Sequence, residues 1–200
     1  MRITTPSRSV GRLAGLLLTL SLAACGGGGS EVTTTNDGTS GSTGSPGGTT
    51  GTTTANATGC SSADLSTVML AAVNAYRASA ASCGSRGSFA AAGAVAWSAR
   101  LASAASGHAS DMAAQATLSH TGSNGSSLVN RLASAGYGWS AAAENIASGS
   151  TTVGGVVTLW MGSADHCANL MGGAYTEIGA ACASAADGTP YWVLVLARPR

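Results

Sequence analysis

The sequence predicts an α+β fold in which helices precede and surround a small antiparallel sheet. Apolar residues recur at helical spacing in several stretches before residue 165. The C-terminal stretch holds two apolar runs, Thr176 to Cys182 and Tyr191 to Ala197, joined by Asp187-Gly188-Thr189-Pro190, which reads as a hairpin. The second run is too apolar to have a wet face, so helices are expected on both sides of the sheet.

The elements follow in order. Ser61-Ser62-Ala63-Asp64 resembles a capping box, and Leu65, Val68, Met69, Ala72, Val73 and Tyr76 then fall on one face, predicting a helix over 62–80. Ala94 to Trp97 is a short extended stretch. Ser98 can cap a second helix that carries Leu101, Ala105, His108 and Met112 on one face and ends near Ala116. Residues 121–127 form a Thr/Gly/Ser/Asn turn. Leu128, Leu132 and Ala135 mark a third helix closed by Gly136 in a C-cap position. Val153, Val156, Val157, Trp160, Met161 and Ala164 predict a fourth helix, weakened by Gly154, Gly155 and its β-branched residues.

Ahead of these elements lies an export signal. Arg2, Arg8 and Arg12 form a positive start, and Leu13 to Leu22 an apolar run shorter than the roughly 20 residues a bilayer span needs. Leu22-Ala23-Ala24-Cys25 resembles a bacterial lipobox, so residues 1–25 read as a lipoprotein signal and Cys25 as the acylated residue, carrying palmitate-type chains that hold it in a membrane. The rival reading is an ordinary secretory signal that leaves Cys25 a free thiol. In a Gram-negative cell, Gly26 after the cysteine resembles the class sorted to the outer membrane. Residues 26–59 are Gly, Ser and Thr with scattered polar residues, a tether whose root-mean-square reach is roughly 32 Å. Residues 60–200 are the size of one domain. The expected location is outside the inner membrane, lipid-anchored in the envelope or at the cell surface.

Nine basic residues, all arginine, and eight acids are spread singly along the chain, which excludes a nucleic-acid-binding or polybasic lipid-docking surface. Apart from Cys25 the cysteines are Cys60, Cys83, Cys167 and Cys182. An even count in an exported domain argues for two disulfides, and the absence of a C-x-x-C pair argues against a thiolate metal site. Four cysteines allow three pairings. The first helix separates Cys60 from Cys83 by more than about 20 Å, too far to bridge unless the flanking loops fold back. We favour Cys83 with Cys167 and Cys60 with Cys182.

Chemistry has few carriers. His120 follows the second helix in a small polar loop, His166 follows the fourth, and Glu144 lies in an apolar β-like stretch where a carboxylate normally needs a partner. Two imidazoles and a carboxylate suit a divalent ion or acid and base roles, or alternatively a buried hydrogen-bond network. His108 shares the apolar face of the second helix and is read as core, and Trp97, Trp139, Trp160 and Trp192 as packing. No serine is placed as a nucleophile, since Ser119 beside His120 lacks an elbow turn.

The blocks Gly107-His108-Ala109-Ser110-Asp111-Met112, Leu118-Ser119-His120-Thr121-Gly122, Arg131-Leu132, Ala135-Gly136-Tyr137, Glu144-Asn145-Ile146-Ala147, Trp160-Met161-Gly162-Ser163, His166-Cys167-Ala168-Asn169 and Tyr175-Thr176-Glu177-Ile178-Gly179 together resemble the bacterial branch of the CAP (SCP/TAPS) superfamily. The resemblance covers about residues 65–200 and implies a three-layer α-β-α sandwich with a central antiparallel sheet. It also implies a cleft in which His120, Glu144 and His166 match three members of a His, Glu, Glu, His tetrad. Ser163 stands where many relatives place the other glutamate, and Asp165 where glycine is usual. Relatives bind zinc or another divalent ion through the two histidines. The functions this suggests are a module that binds a lipid, a cell-wall fragment or a protein in the envelope; a metal-assisted, protease-like hydrolase with His120 and His166 on the ion and Glu144 as base; or a structural or adhesive envelope protein with a vestigial cleft.

Overall fold

The computed structural model describes Cys60 and residues 64–200; the leader, Cys25, the 26–59 tether and most of the expected capping box lie outside the described residues. The elements are α1 (Leu65–Arg77), β1 (Ala81–Ser82), β2 (Ser88–Phe89), β3 (Ala96–Trp97), α2 (Ala99–Gln115), α3 (Leu128–Ser134), β4 (Trp139–Ser148), α4 (Val153–Met161), α5 (Ala164–Met171), β5 (Glu177–Ser184) and β6 (Pro190–Pro199).

Four strands form the central sheet in the order β3-β5-β6-β4. The expected hairpin is β5 and β6, with Ala180 opposite Leu194, and β4 runs antiparallel along the other side of β6. One edge departs from the expected antiparallel sheet, because β3 pairs parallel to β5 through Ala96 and Glu177. These strands are joined by a long crossover rather than a tight turn, so nothing in their connection requires opposite directions.

Strand β6 lies at the centre of the layering. Trp192, Leu194 and Leu196 face a core shared with α1, α4 and α5, while Tyr191, Val193, Val195 and Ala197 face one shared with α2 and α3. The sheet is therefore dry on both faces, which makes the molecule an α-β-α sandwich. On the second face α2 approaches so closely that a Cβ at Gly179 would lie 2.1 Å from the Ala102 nitrogen, and only glycine permits that contact.

The fourth helix is shorter than its periodicity suggests. α4 stops at Met161, Ser163 is extended, and the chain restarts as α5. Ala164 thus begins a new helix rather than ending the old one. The spacing of Cys167, Leu170 and Met171, the buried residues of α5, is its only apolar signal. A Thr152 hydroxyl accepts from the Gly155 N–H and caps α4, which forms despite its glycines.

Two disulfides brace these layers. Cys83 joins Cys167 with 5.4 Å between Cα atoms, tying the 3₁₀ turn at Gly84–Arg86 to α5. Cys60 joins Cys182 across 122 residues, holding the start of the domain to β5. By the chain-entropy account each contributes about 4 to 5 kcal/mol against the reduced, unfolded chain.

Candidate functional site

β4 is the edge strand on the side of the sheet opposite β3, and consecutive residues along it face opposite layers. Glu144 points toward α2 and α3, and Asn145 toward α5. Each holds one half of a polar cluster.

On the first side, the His120 Nδ1 donates to Glu144 Oε1 at 2.8 Å and the Arg131 Nη2 to Glu144 Oε2 at 2.7 Å. The carboxylate is buried, with each oxygen accepting a strong bond. Arg131 reaches it from α3 and also donates to the carbonyls of Ser126 at 2.9 Å and His120 at 3.1 Å. A carboxylate only accepts, so the His120 proton sits on Nδ1 and leaves Nε2 as a lone-pair nitrogen on an imidazole that is 59% exposed. Beneath them His108 is fully buried on α2, as its apolar face predicts. Its Nε2 donates to the Ser119 carbonyl at 2.8 Å and lies 3.9 Å from Glu144 Oε1. Burial and the nearby Arg131 charge lower the His108 pKa, against the pull of Glu144.

On the second side, buried Asn145 donates to the His166 carbonyl at 3.1 Å and accepts from Asn169 at 2.9 Å. This clamps the first turn of α5 to the strand beside Glu144. The Cys83–Cys167 disulfide and an Arg86–Asp165 ion pair hold the same turn from the outside. His166 is half-buried, and its pKa is lowered by burial and then by the His120 imidazole nearby, with Asp165 pulling the other way. The two imidazoles are thus within electrostatic reach of one another.

The structure brings His120, Glu144 and His166 to one sheet edge, from a loop, a strand and a helix. Ser163 is the N-cap of α5 and supplies no carboxylate. The donor set does not fit a resident zinc ion: Glu144 is committed to His120 and Arg131, which leaves two imidazoles where catalytic sites use three protein ligands and structural sites four. No group of three His, Cys, Asp or Glu among the described residues is arranged to hold an ion. Arg131, Asn145, Asn169 and the proximity of His108 are not read from the sequence. Arg131 carries no signal of its own, since neighbouring helix positions do not share a face and a buried arginine can be met by carbonyls alone, as Arg77 is. Glu144 shows only as an acid lacking a partner.

This fold is that of a CAP domain. The chain belongs to the CAP, or cysteine-rich secretory protein, family, whose model matches residues 70–196. Among solved structures it is similar to an extracellular protein containing a SCP domain from Bacillus anthracis str. Ames, with 26% identity, 54% of this chain and 34% of that one covered, and a TM-score of 0.48. It is also similar to an outer surface protein from Borrelia burgdorferi, with 20% identity, coverage of 55% and 80%, and a TM-score of 0.51. A cysteine-rich secretory protein from Staphylococcus aureus subsp. aureus Mu50 matches at 15% identity, coverage of 68% and 40%, and a TM-score of 0.47. The match spans about a third of the length of the Bacillus protein. No curated protein matches the chain in sequence. No helix among the described residues is long and apolar enough to cross a membrane.

Proposed function

We propose that this chain is an exported binding module, anchored in the cell envelope by lipid on Cys25, whose His120, Glu144 and His166 cleft holds an envelope ligand: a lipid, a cell-wall fragment or a protein. The observation that carries the reading is the state of Glu144. A general base must offer a free lone pair to a water or substrate within reach. Glu144 is buried with one oxygen on His120 and the other on Arg131, so taking up a proton would disrupt a desolvated ion pair. It acts as an orienting group that sets the tautomer of His120, the role carboxylates play behind histidines at binding sites. The His120 Nε2 lone pair and the His166 imidazole are then the polar contacts offered to a ligand. The hydrolase alternative asks Glu144 to be free, and the donor set leaves no step to route through a metal.

Native mass spectrometry of the chain purified from membranes tests this. Wild type should carry an envelope lipid or muropeptide that His166→Ala loses while keeping its circular dichroism spectrum. Equal retention by both, or no ligand on either, would sink the binding reading. Titration of zinc into the same preparations is expected to show only weak association, and stoichiometric tight binding would restore the hydrolase.

A further inference from the structure

An edge strand holds out a row of backbone groups that its own sheet does not use, and in β4 these can be identified. The Gly149 N–H donates to the Pro190 carbonyl at 3.0 Å, one step beyond the pairing of Ser148 with Tyr191. In an antiparallel ladder a residue turns its N–H and its C=O to the same side, and the next residue turns them to the other. Ala143 and Asn145 therefore bond β6, whereas Ala142, Glu144 and Ile146 turn both groups away from it. Trp160 agrees with this parity, since its indole reaches from α4 to donate to the Ile146 carbonyl at 3.1 Å.

Buried Trp160 closes one end of this outer row. A bulge between Trp139 and Ala141 closes the other by reversing the parity, so that beyond it Gly138 faces β6 and accepts from the Arg200 N–H. Between the two ends lie Ala142 and Glu144, whose outward N–H and C=O groups have no partner among the described residues. Glu144 is 8% exposed as a whole but its side chain only 4%, so its main chain is more open than its side chain. Ala142 is half-buried. Strand edges that must stay unpaired usually carry a charge or a proline, and Ala141, Ala142 and Ala143 supply neither.

We propose that the outer edge of β4 at Ala142–Glu144 binds an extended segment of another protein, which joins the sheet as a fifth strand through the outward N–H and C=O groups of these two residues. Alternating donors and acceptors at strand spacing are matched by another extended backbone, which makes this a site for polypeptide. The window spans three residues, against about 20 to 30 a side in a stable complex of folded partners, so it suits a short segment rather than a second copy of the domain. The residue opposite Glu144 shares its face, on the side where His120 carries its Nε2 lone pair, and a hydroxyl-bearing side chain suits that position. Affinity comes from the backbone and does not depend on what the two histidines hold.

The test is a titration of the isotope-labelled full chain with the capped peptide acetyl-Ser-Val-Thr-Val-Ser-amide, followed by NMR. The Ala142 and Glu144 amide protons should move downfield and saturate, with a Kd on the order of millimolar. The same peptide N-methylated at every residue keeps its side chains but loses its backbone donors, and should give no saturable shift. Ala142→Pro removes an outward N–H and no ladder bond, so it should fold as wild type does and raise the Kd tenfold or more, read at Glu144. Should that variant fold poorly, the N-methylated peptide decides on the wild-type chain. The proposal is overturned if neither amide shifts, if the N-methylated peptide binds equally well, or if folded Ala142→Pro binds as wild type does. It is overturned too if both amides shift when the chain alone is concentrated, which would give the edge to a second copy. None of these outcomes touches the loss of ligand by His166→Ala, so the binding role of the cleft stands or falls on its own measurement.

Discussion

Two buried arginines lie on opposite faces of the sheet, and they are satisfied in different ways. Arg77, at the end of α1, donates only to carbonyls: Gly93 at 2.8 Å, Leu170 at 2.7 Å, Gly172 at 3.0 Å and Tyr175 at 3.2 Å. Two of these acceptors close the C-terminus of α5, where the helix dipole concentrates negative charge, so the guanidinium is stabilised without an acid. Arg131, on the other face, takes two carbonyls and the Glu144 carboxylate, and its Nε is unmatched. Complete matching marks a side chain that locks one arrangement in place. Arg131 is held through its two terminal nitrogens alone, its Nε sealed without a partner, so its place depends on one carboxylate as Arg77's does not. The same contrast runs through the cores: Trp160, Trp192 and Leu170 fill the first, whereas alanines line much of the second.

The largest effects should come from removing each arginine in turn. Arg77→Met leaves four carbonyls without their donor and should cost about 4 kcal/mol or more, read from urea unfolding, with no change in the NMR signals of His120. Arg131→Met strands a buried carboxylate and should cost about 3 kcal/mol. Adding Glu144→Gln removes the stranded charge, so the double variant should regain a measurable part of that loss. Arg77 has no acid to pair with such a rescue. A double variant no more stable than Arg131→Met would show that the pair is not coupled, and the contrast between the two arginines would fail.

Much of the fold can be read from the chain because it rests on local patterns. The β5–β6 hairpin announces itself through a turn and a run apolar on both faces. α2 and α3 show their apolar stripes and their stops. β4 is harder, since Trp139 to Ser148 contains four alanines, a poor strand former, and pairing with β6 overrides that preference. α5 is only eight residues long, and β3 has two, so neither carries a long enough period to be recognised. At the site, His120, Glu144 and His166 stand out as rare residue types in ordered blocks. Their supports do not. The roles of Arg131, Asn145 and His108 are defined by partners 11 to 24 positions away, a relation that tertiary structure creates and composition cannot display.

The smallest expected effect is on acid sensitivity, to which each face contributes one histidine. His108 is neutral in the fold because burial and Arg131 hold its pKa below the usual histidine value. The unfolded chain takes up a proton near pH 6.5 while the folded chain resists until a lower pH, so the unfolded state binds more protons in that window. Stability is therefore full above about pH 6.5 and falls as pH drops toward the folded pKa, by at most about 1.4 kcal/mol per pH unit for one proton. His166, lowered for the same leading reason, adds to the slope with the same sign. His108→Gln keeps a donor for the Ser119 carbonyl and removes the titration, so urea midpoints measured from pH 7 to pH 5 should fall less steeply than in wild type, with the His166 share remaining. Arg77→Met should leave the slope as it was, since Arg77 keeps its proton throughout that range. An unchanged slope in His108→Gln would mean that the histidine beneath Glu144 is not held neutral in the fold.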